Sequence, residues 1–486
     1  MNGVLINARP FVAATRFILC GLLSAACVHA AESKLTPDAI DSFVTAYRTA
    51  NKTPGMAVIV TNGTKAVYIS GYGHDSAGNP ITADTPFPIA SLSKSFTALA
   101  IMQLVDKGSI ELDGAVRTYL PEFTMADERA KVITVRQLLN HTSGMSDSTF
   151  HEKSLSQPNS LQEAVARLRT ARLAGDPGPR YRYHNPNYQV AARLVEVVSG
   201  EPFATYMQRH IFAPLGMDRT KTVTRLIQPA EVAQGHARFY GLPVALPEPF
   251  WFLDGSSGIV TTPRDMAKWL TMQNNGGAAA DGTPIVSTKG LELMHSGTKG
   301  VEGKGLGWNI ETSAGKTKLF HSGWMFTYTA MQILLPDSGY GIAVMSNTGI
   351  GLAEPDSDVV TTGLIALIEG QSPVVGSPAG LIGGIVFAVI TLLTIGVGIH
   401  RLRRLRNRVD TRKDRPRWRT ITTLSFNLIP AIVLLNLRNS LRYVFGRDFS
   451  WLELFYMATP FAVWVAIASI LGLIVAATRV TRGKTR

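Results

Sequence analysis

A serine three residues ahead of a lysine occurs three times in this chain, as Ser91/Lys94, Ser296/Lys299 and Ser313/Lys316. A hydroxyl is a poor nucleophile until a neighbour takes its proton, and a lysine can take it only when desolvation or nearby positive charge lowers its pKa toward neutrality. Such a pair therefore works only where the backbone holds it rigid. Ser91 follows Phe87-Pro88-Ile89-Ala90 and opens a stretch with helical apolar spacing at Phe96, Ala100 and Leu104. On a helix, residues three apart share a face, about 5–6 Å between Cβ atoms. A helix N-terminus also disfavours an ammonium and favours a developing oxyanion. The other two pairs lie in glycine-rich turns, His295 to Gly300 and Ala314 to Lys318, where nothing orients them. An isolated Ser-x-x-Lys is more simply a capping serine and a solvated lysine, so Ser91 and Lys94 need company.

Two further elements supply it. Tyr183-His184-Asn185 is the only Tyr-x-Asn in the chain and follows Gly178-Pro179 in a polar loop. A phenol there can accept the serine proton or pass one to a leaving group, and the Asn185 amide can hold a substrate carbonyl. His321-Ser322-Gly323 stands before the apolar run that begins near Thr329. A glycine at such a place lets a substrate lie along a strand edge, as in peptide capture by β-addition. Two decoys are set aside as structural: Lys316-Thr317-Lys318, and His295-Ser296-Gly297 after the helical run Leu291 to Met294.

Positioning these residues falls to a few elements. Ala57 to Ser70 contains β-branched runs broken at Asn62-Gly63, which predicts a hairpin. Val135 to Asn140 predicts a short helix ending near Gly144, and Asn187 to Val198 a longer one stopped by Gly200. Thr329 to Leu335 and Gly341 to Ser346 predict two strands around Pro336-Asp337-Ser338-Gly339. Residues 31–370 thus form one α/β domain without internal repeats, and 371–380 form a linker.

Order, spacing and flanks of these motifs resemble the penicillin-recognising serine hydrolases of the class C β-lactamase type, with His-x-Gly where the lactamases have Lys-Thr-Gly. The stretches Ile133 to Gly144 (ITVRQLLNHTSG) and Pro214-Leu215-Gly216-Met217 match as well, and the resemblance covers roughly residues 40–350. It implies an antiparallel sheet flanked by helices with a helical subdomain, an acyl-Ser91 intermediate, and neither metal nor cofactor. Ser91, Lys94 and Tyr183 are then the catalytic residues, with Asn185, His321, Gly323 and Trp324 at the substrate. The resemblance also implies an oxyanion hole formed by the N–H groups of Ser91 and Trp324. After Gly323 this chain has Trp324-Met325-Phe326, a bulkier and more apolar run than relatives carry. That run and the loss of the lysine argue against efficient β-lactam binding.

The net charge of +13 suggests a nucleic acid partner until its distribution is read. From residue 378 onward there are 17 Lys/Arg against 4 Asp/Glu, so the remainder is neutral and has no basic face for a nucleic acid. Arg9 and Arg16, the apolar Phe17 to Ala26 and the site after Ala30 read as a signal peptide over residues 1–30. Both cysteines, Cys20 and Cys27, fall inside it. The mature chain is thus expected to have no disulfide and no cysteine nucleophile. Cys27 as a lipoprotein cysteine is disfavoured, because its leucine, Leu23, lies one place too early. Residues 381–480 hold three apolar runs, Leu381 to Gly398, Ile421 to Leu437 and Leu454 to Thr478. Residues 401–419 carry ten basic residues, which places that loop in the cytoplasm and the domain outside. This layout resembles the membrane-anchored colibactin-maturing periplasmic peptidases, which implies an N-acyl-D-amino-acid amide or peptide as substrate. Esters and β-lactams are the alternatives within the fold. A retired domain that only binds cell-wall peptide, or a small transporter with a periplasmic cap, are the non-enzyme ones.

Overall fold

The computed structural model describes residues 34–228, 232–298, 300–351, 353–376, 378–407, 417–445 and 447–484. The expected signal peptide and residues 408–416 of the basic loop lie outside them. The domain is organised on a six-stranded antiparallel sheet. Its strands are β1 (Gly55–Asn62), β2 (Lys65–Gly73), β3 (Asn309–Ser313), β4 (Lys316–Trp324), β5 (Thr329–Leu335) and β6 (Tyr340–Ser346), in the order β2-β1-β6-β5-β4-β3. The expected Asn62-Gly63 turn joins β1 to β2, with Gly63 at φ +54°. His321-Ser322-Gly323 corrects the sequence reading. It does not precede the strand at Thr329 but lies inside a strand of its own, β4, with Gly323 opposite Ala330. The run Lys316 to Ser322, which has Leu319 and Phe320 side by side and no apolar alternation, hid that strand.

Both faces of the sheet are covered, which explains why β1 reads as a continuous apolar run rather than an alternation. Met56, Val58 and Val60 face helices α1 (Pro37–Asn51) and, near the end of the domain, Asp356–Ile368, packing with Phe43, Val44, Val360 and Leu364. Ala57 and Ile59 face the larger core around α2 (Ser93–Asp106). Every residue of α2 from Ser93 to Leu104 is buried, so its apolar spacing marks a helix enclosed on all sides. A buried polar chain fixes α2 against the sheet. Trp269 stacks on Phe96 with centroids 3.5 Å apart, its Nε1 donates to Gln332 Oε1 at 3.0 Å, and Gln332 Nε2 donates to Ser95 Oγ at 2.9 Å. The helical subdomain includes α3 (Val135–Leu139), closed by a Thr134/Gln137 capping box, and α4 (Pro186–Ser199), which ends at Gly200 in the left-handed region.

After residue 378 come α5 (Ala379–Asn407), α6 (Arg417–Phe445), the short α7 (Trp451–Met457) and α8 (Thr459–Lys484). Three of these contain stretches long and apolar enough to cross a membrane, with mean hydropathies of 2.5, 1.4 and 2.4 in chain order. The middle one, weakened by Pro430, is the least apolar. Gly472 lets α8 approach α6 closely, since a Cβ there would stand 2.1 Å from the Asn427 carbonyl oxygen. Trp464 Nε1 donates across to Thr394 Oγ1 at 3.1 Å.

Candidate active site

Ser91 sits in a 3-10 turn, Ala90–Leu92, immediately before α2 rather than as its first residue. Ala90 holds φ +48°, a left-handed conformation that costs a residue with a Cβ about 1 kcal/mol or more. The turn is held from below. Ser93 Oγ donates to the Ala90 carbonyl at 2.7 Å and accepts from Ile259 N–H at 3.0 Å. From beside it, β4 closes in at Gly323, where a Cβ would lie 2.4 Å from the Ile89 carbonyl oxygen. No other residue type fits between the Ser91 turn and the strand.

Three predicted residues converge. Lys94 Nζ donates to Ser91 Oγ at 3.0 Å, and the Tyr183 hydroxyl donates to the same oxygen at 2.8 Å. Lys94 is completely buried, and its only other hydrogen bond among the described residues goes to the Ser256 carbonyl at 2.8 Å. Burial, reinforced by the positive charge of Arg447, holds its pKa well below the ordinary lysine value. Burial raises the Tyr183 pKa, and Arg447 opposes that rise. Both shifts favour uncharged forms, an amine and a phenol flanking one hydroxyl.

The remaining predicted residues take different positions. Asn185 lies just ahead of α4, and its amide donates to Glu152 Oε1 at 2.9 Å. Glu152 is buried, and its pKa is pushed up to about 7 by that burial and by Asp147. His321 is buried, with Nδ1 donating to the Ser322 carbonyl at 2.7 Å, and burial beside Lys94 lowers its pKa to about 3. It is a neutral imidazole and supplies no fixed cation. Trp324 ends β4 with half its surface exposed. Met325 N–H donates to Tyr328 O across the turn, so the Trp324–Thr329 pair is the non-hydrogen-bonded kind. Its N–H consequently points to the open edge of β4, beyond the last residue paired with β3, Phe320.

Sequence reasoning missed several neighbours. His141, with φ +59°, lies 4.4 Å from the Tyr183 ring between centroids, and its Nδ1 faces the His184 N–H at 3.2 Å. Asp147 and Glu152 come from the loop after Gly144. Arg447 comes from the segment between α6 and α7, more than 260 residues from Tyr183. No local pattern marks these; only the fold brings them in. Of the decoy pairs, Ser313 and Lys316 flank a hairpin turn, and Lys316 binds Glu369 at the surface. Ser296 Oγ bonds the Glu292 carbonyl, while Lys299 lies outside the described residues.

Residues 40–365 match the family model described as Beta-lactamase. The chain belongs to the beta-lactamase family. It is 30% identical over 323 residues to penicillin-binding protein 4 of Amycolatopsis lactamdurans, covering 63% of this chain and 84% of that one. Protein flp of Staphylococcus aureus (strain COL) is 27% identical over 299 residues, covering 60% of this chain and 59% of that protein, so the chain spans less than two thirds of this relative. Among solved structures, the octameric penicillin-binding protein homologue from Pyrococcus abyssi superposes with a TM-score of 0.58 at 26% identity, over 70% of this chain and 78% of that one. The beta-lactamase fold of this family is that of serine hydrolases, and the matched span stops before the three apolar helices.

Proposed function

We propose that this family member is a membrane-anchored periplasmic serine peptidase acting through acyl-Ser91, on an N-acyl-D-amino-acid amide or peptide. The observation that carries the reading is the convergence of Lys94 Nζ and the Tyr183 hydroxyl on Ser91 Oγ. Lys94, neutral at rest, takes the Ser91 proton as Oγ attacks the carbonyl carbon. The oxyanion forms against the N–H groups of Ser91 and Trp324. Tyr183 then passes its proton to the departing amine nitrogen, the C–N bond breaks, and the Lys94 ammonium returns the Ser91 proton to the phenolate, which leaves both groups as they began. Water repeats the sequence on the acyl-enzyme, releasing the acid and restoring Ser91. His321 and Gly323 hold the strand edge along which the substrate backbone lies, and Asn185 stands at the opposite lip.

The substrate's side-chain preference rests on the run after Gly323. Met325 turns into the core, Trp324 stays half exposed beside the edge, and Phe326 packs against Trp251 and Tyr456 at centroid distances of 5.8 and 5.1 Å. An amide side chain buried against such a wall without partners costs on the order of 1–3 kcal/mol. Apolar surface buried there gains roughly 25 cal/mol per Å². A panel of N-acyl-D-amino-acid amides, p-nitrophenyl esters and nitrocefin should show turnover of apolar acyl substrates and feeble nitrocefin hydrolysis. Efficient nitrocefin hydrolysis would count against a peptidase. A clear preference for N-acyl-D-Asn would instead favour the colibactin-type subgroup.

The orientation has its own test. With residues 401–419 in the cytoplasm, a phosphatase fused after Gly370 should be active and one fused near Arg412 inactive. The opposite pattern would refute the periplasmic placement.

A further inference from the structure

The three apolar helices do more than trail behind the domain. The segment joining α6 to α7, together with α7, is pinned beside the site. Asp448 is bound by Arg442 at 2.8 Å and by the Ser154 hydroxyl. Glu453 pairs with Lys153, and the Tyr456 hydroxyl donates to the Pro247 carbonyl at 3.1 Å. These contacts set Arg447 into the catalytic centre. Its Nε donates to Asp147 Oδ2 at 2.8 Å, and its Cζ lies 4.7 Å from the centroid of the Tyr183 ring. Lys94 Nζ lies 4.9 Å from that same centroid. One phenol thus stands within reach of two basic side chains, one from the helix that follows the nucleophile and one from the membrane-anchoring segment.

We propose that Arg447 is a positioning residue of the catalytic centre, a fixed positive charge that the C-terminal segment inserts beside Tyr183 and Lys94, so that this segment completes the site as well as anchoring it. The inference rests on Ser91 reacting through Lys94 and Tyr183. A cation at this place disfavours the Lys94 ammonium and favours any negative charge that develops on the phenol. The other groups facing the pair are Asp147, Glu152, Lys153, the phenols of Tyr181 and Tyr188, and the buried neutral imidazoles of His141 and His321. Asp147 opposes Arg447 at Tyr183, but the Arg447 effect is the larger. The two Nη groups of Arg447 have no hydrogen-bond partner among the described residues, so Asp147 does not take up the whole guanidinium. A site that lacks a cation at position 321 receives one from the opposite end of the chain.

The test uses the full-length protein in detergent and the second-order rate of fluorophosphonate labelling as a function of pH, with melting temperature measured alongside. Arg447→Gln should move the acid limb of the profile upward by roughly one pH unit, and slow labelling about tenfold below that limb. Arg447→Lys, which keeps the charge, should restore the limb. Should Arg447→Gln alone fail to fold, because it leaves Asp147 buried and unpaired, Arg447→Gln with Asp147→Asn removes both partners and should still shift the limb upward. An unshifted limb in whichever of these variants folds would overturn the role of Arg447, even if labelling were slower throughout. Labelling that persists in Ser91→Ala would instead sink the reading of the site on which it rests.

Discussion

Ser91→Ala in the full-length protein should abolish labelling by a fluorophosphonate and reduce hydrolysis of any substrate by a factor on the order of 10⁴ or more, as loss of a nucleophile does in other serine hydrolases. The fold should survive. Among the described residues the Ser91 hydroxyl bonds only Lys94 and Tyr183, and Lys94 keeps the Ser256 carbonyl when it is gone. The methyl side chain is smaller than the hydroxymethyl it replaces, so the 3-10 turn and the approach of Gly323 should be undisturbed. Intact-protein mass spectrometry of the probe adduct and a melting curve read both halves. Ser296→Ala and Ser313→Ala are the controls and should label as wild type, since Ser296 caps a helix and Ser313 ends a strand. Loss of labelling in either control, with Ser91→Ala unaffected, would mean that the nucleophile lies elsewhere.

What the sequence could carry was the local part of this arrangement. Ser91 with Lys94, and Tyr183 with Asn185, are short-range patterns, and the structure brings the first pair and Tyr183 to one oxygen. The β1–β2 turn and the strands from Thr329 and Tyr340 were legible because β-branched runs and turn residues mark them. Strand β4 was not, because Lys316 to Ser322 offers no apolar alternation; it is a strand because β5 and β3 pair with it. The burial of α2 on every side also exceeds what its spacing can say, since an apolar stripe and an apolar cylinder share the same core positions. Least legible were the charges that tune the site. Asp147, Glu152 and Arg447 read as ordinary loop residues; folding of the domain brings the first two to Lys94 and Tyr183, and Arg447 joins them only when the C-terminal segment docks. The bulky run after Gly323 was visible as residues, but Phe326 pairs with Tyr456, again from that segment. Sequence spacing picks out the three side chains that converge at Ser91 Oγ; it does not pick out what surrounds them.

Lys94 and Tyr183 should behave as one unit, and their separate losses should not add. Each touches Ser91 Oγ, and Lys94 Nζ lies over the Tyr183 ring, so removing either breaks the same proton path. Tyr183→Phe deletes only the hydroxyl. Lys94→Met deletes the amine while keeping most of the buried stem, which avoids the cavity that alanine would leave beneath α2. Each single change should cost about 10²–10⁴ in kcat, and the double change little more than the worse single one. The pH profile gives the direction of the charges. The Lys94 pKa is held below its ordinary value, so the proton-accepting amine is present from correspondingly lower pH, and activity should rise as pH passes that depressed pKa. The Tyr183 pKa is raised, so the proton-donating phenol persists to high pH, and activity should fall only where it ionises. The wild type should show a broad plateau between the two limbs, belonging to the coupled pair rather than to either residue. Tyr183→Phe should remove the alkaline limb, and Lys94→Met the acid one, each on a much lower residual rate. Full additivity in log kcat, with both limbs intact in both variants, would mean that the two side chains serve independent steps and that the proton leaves Ser91 by another route.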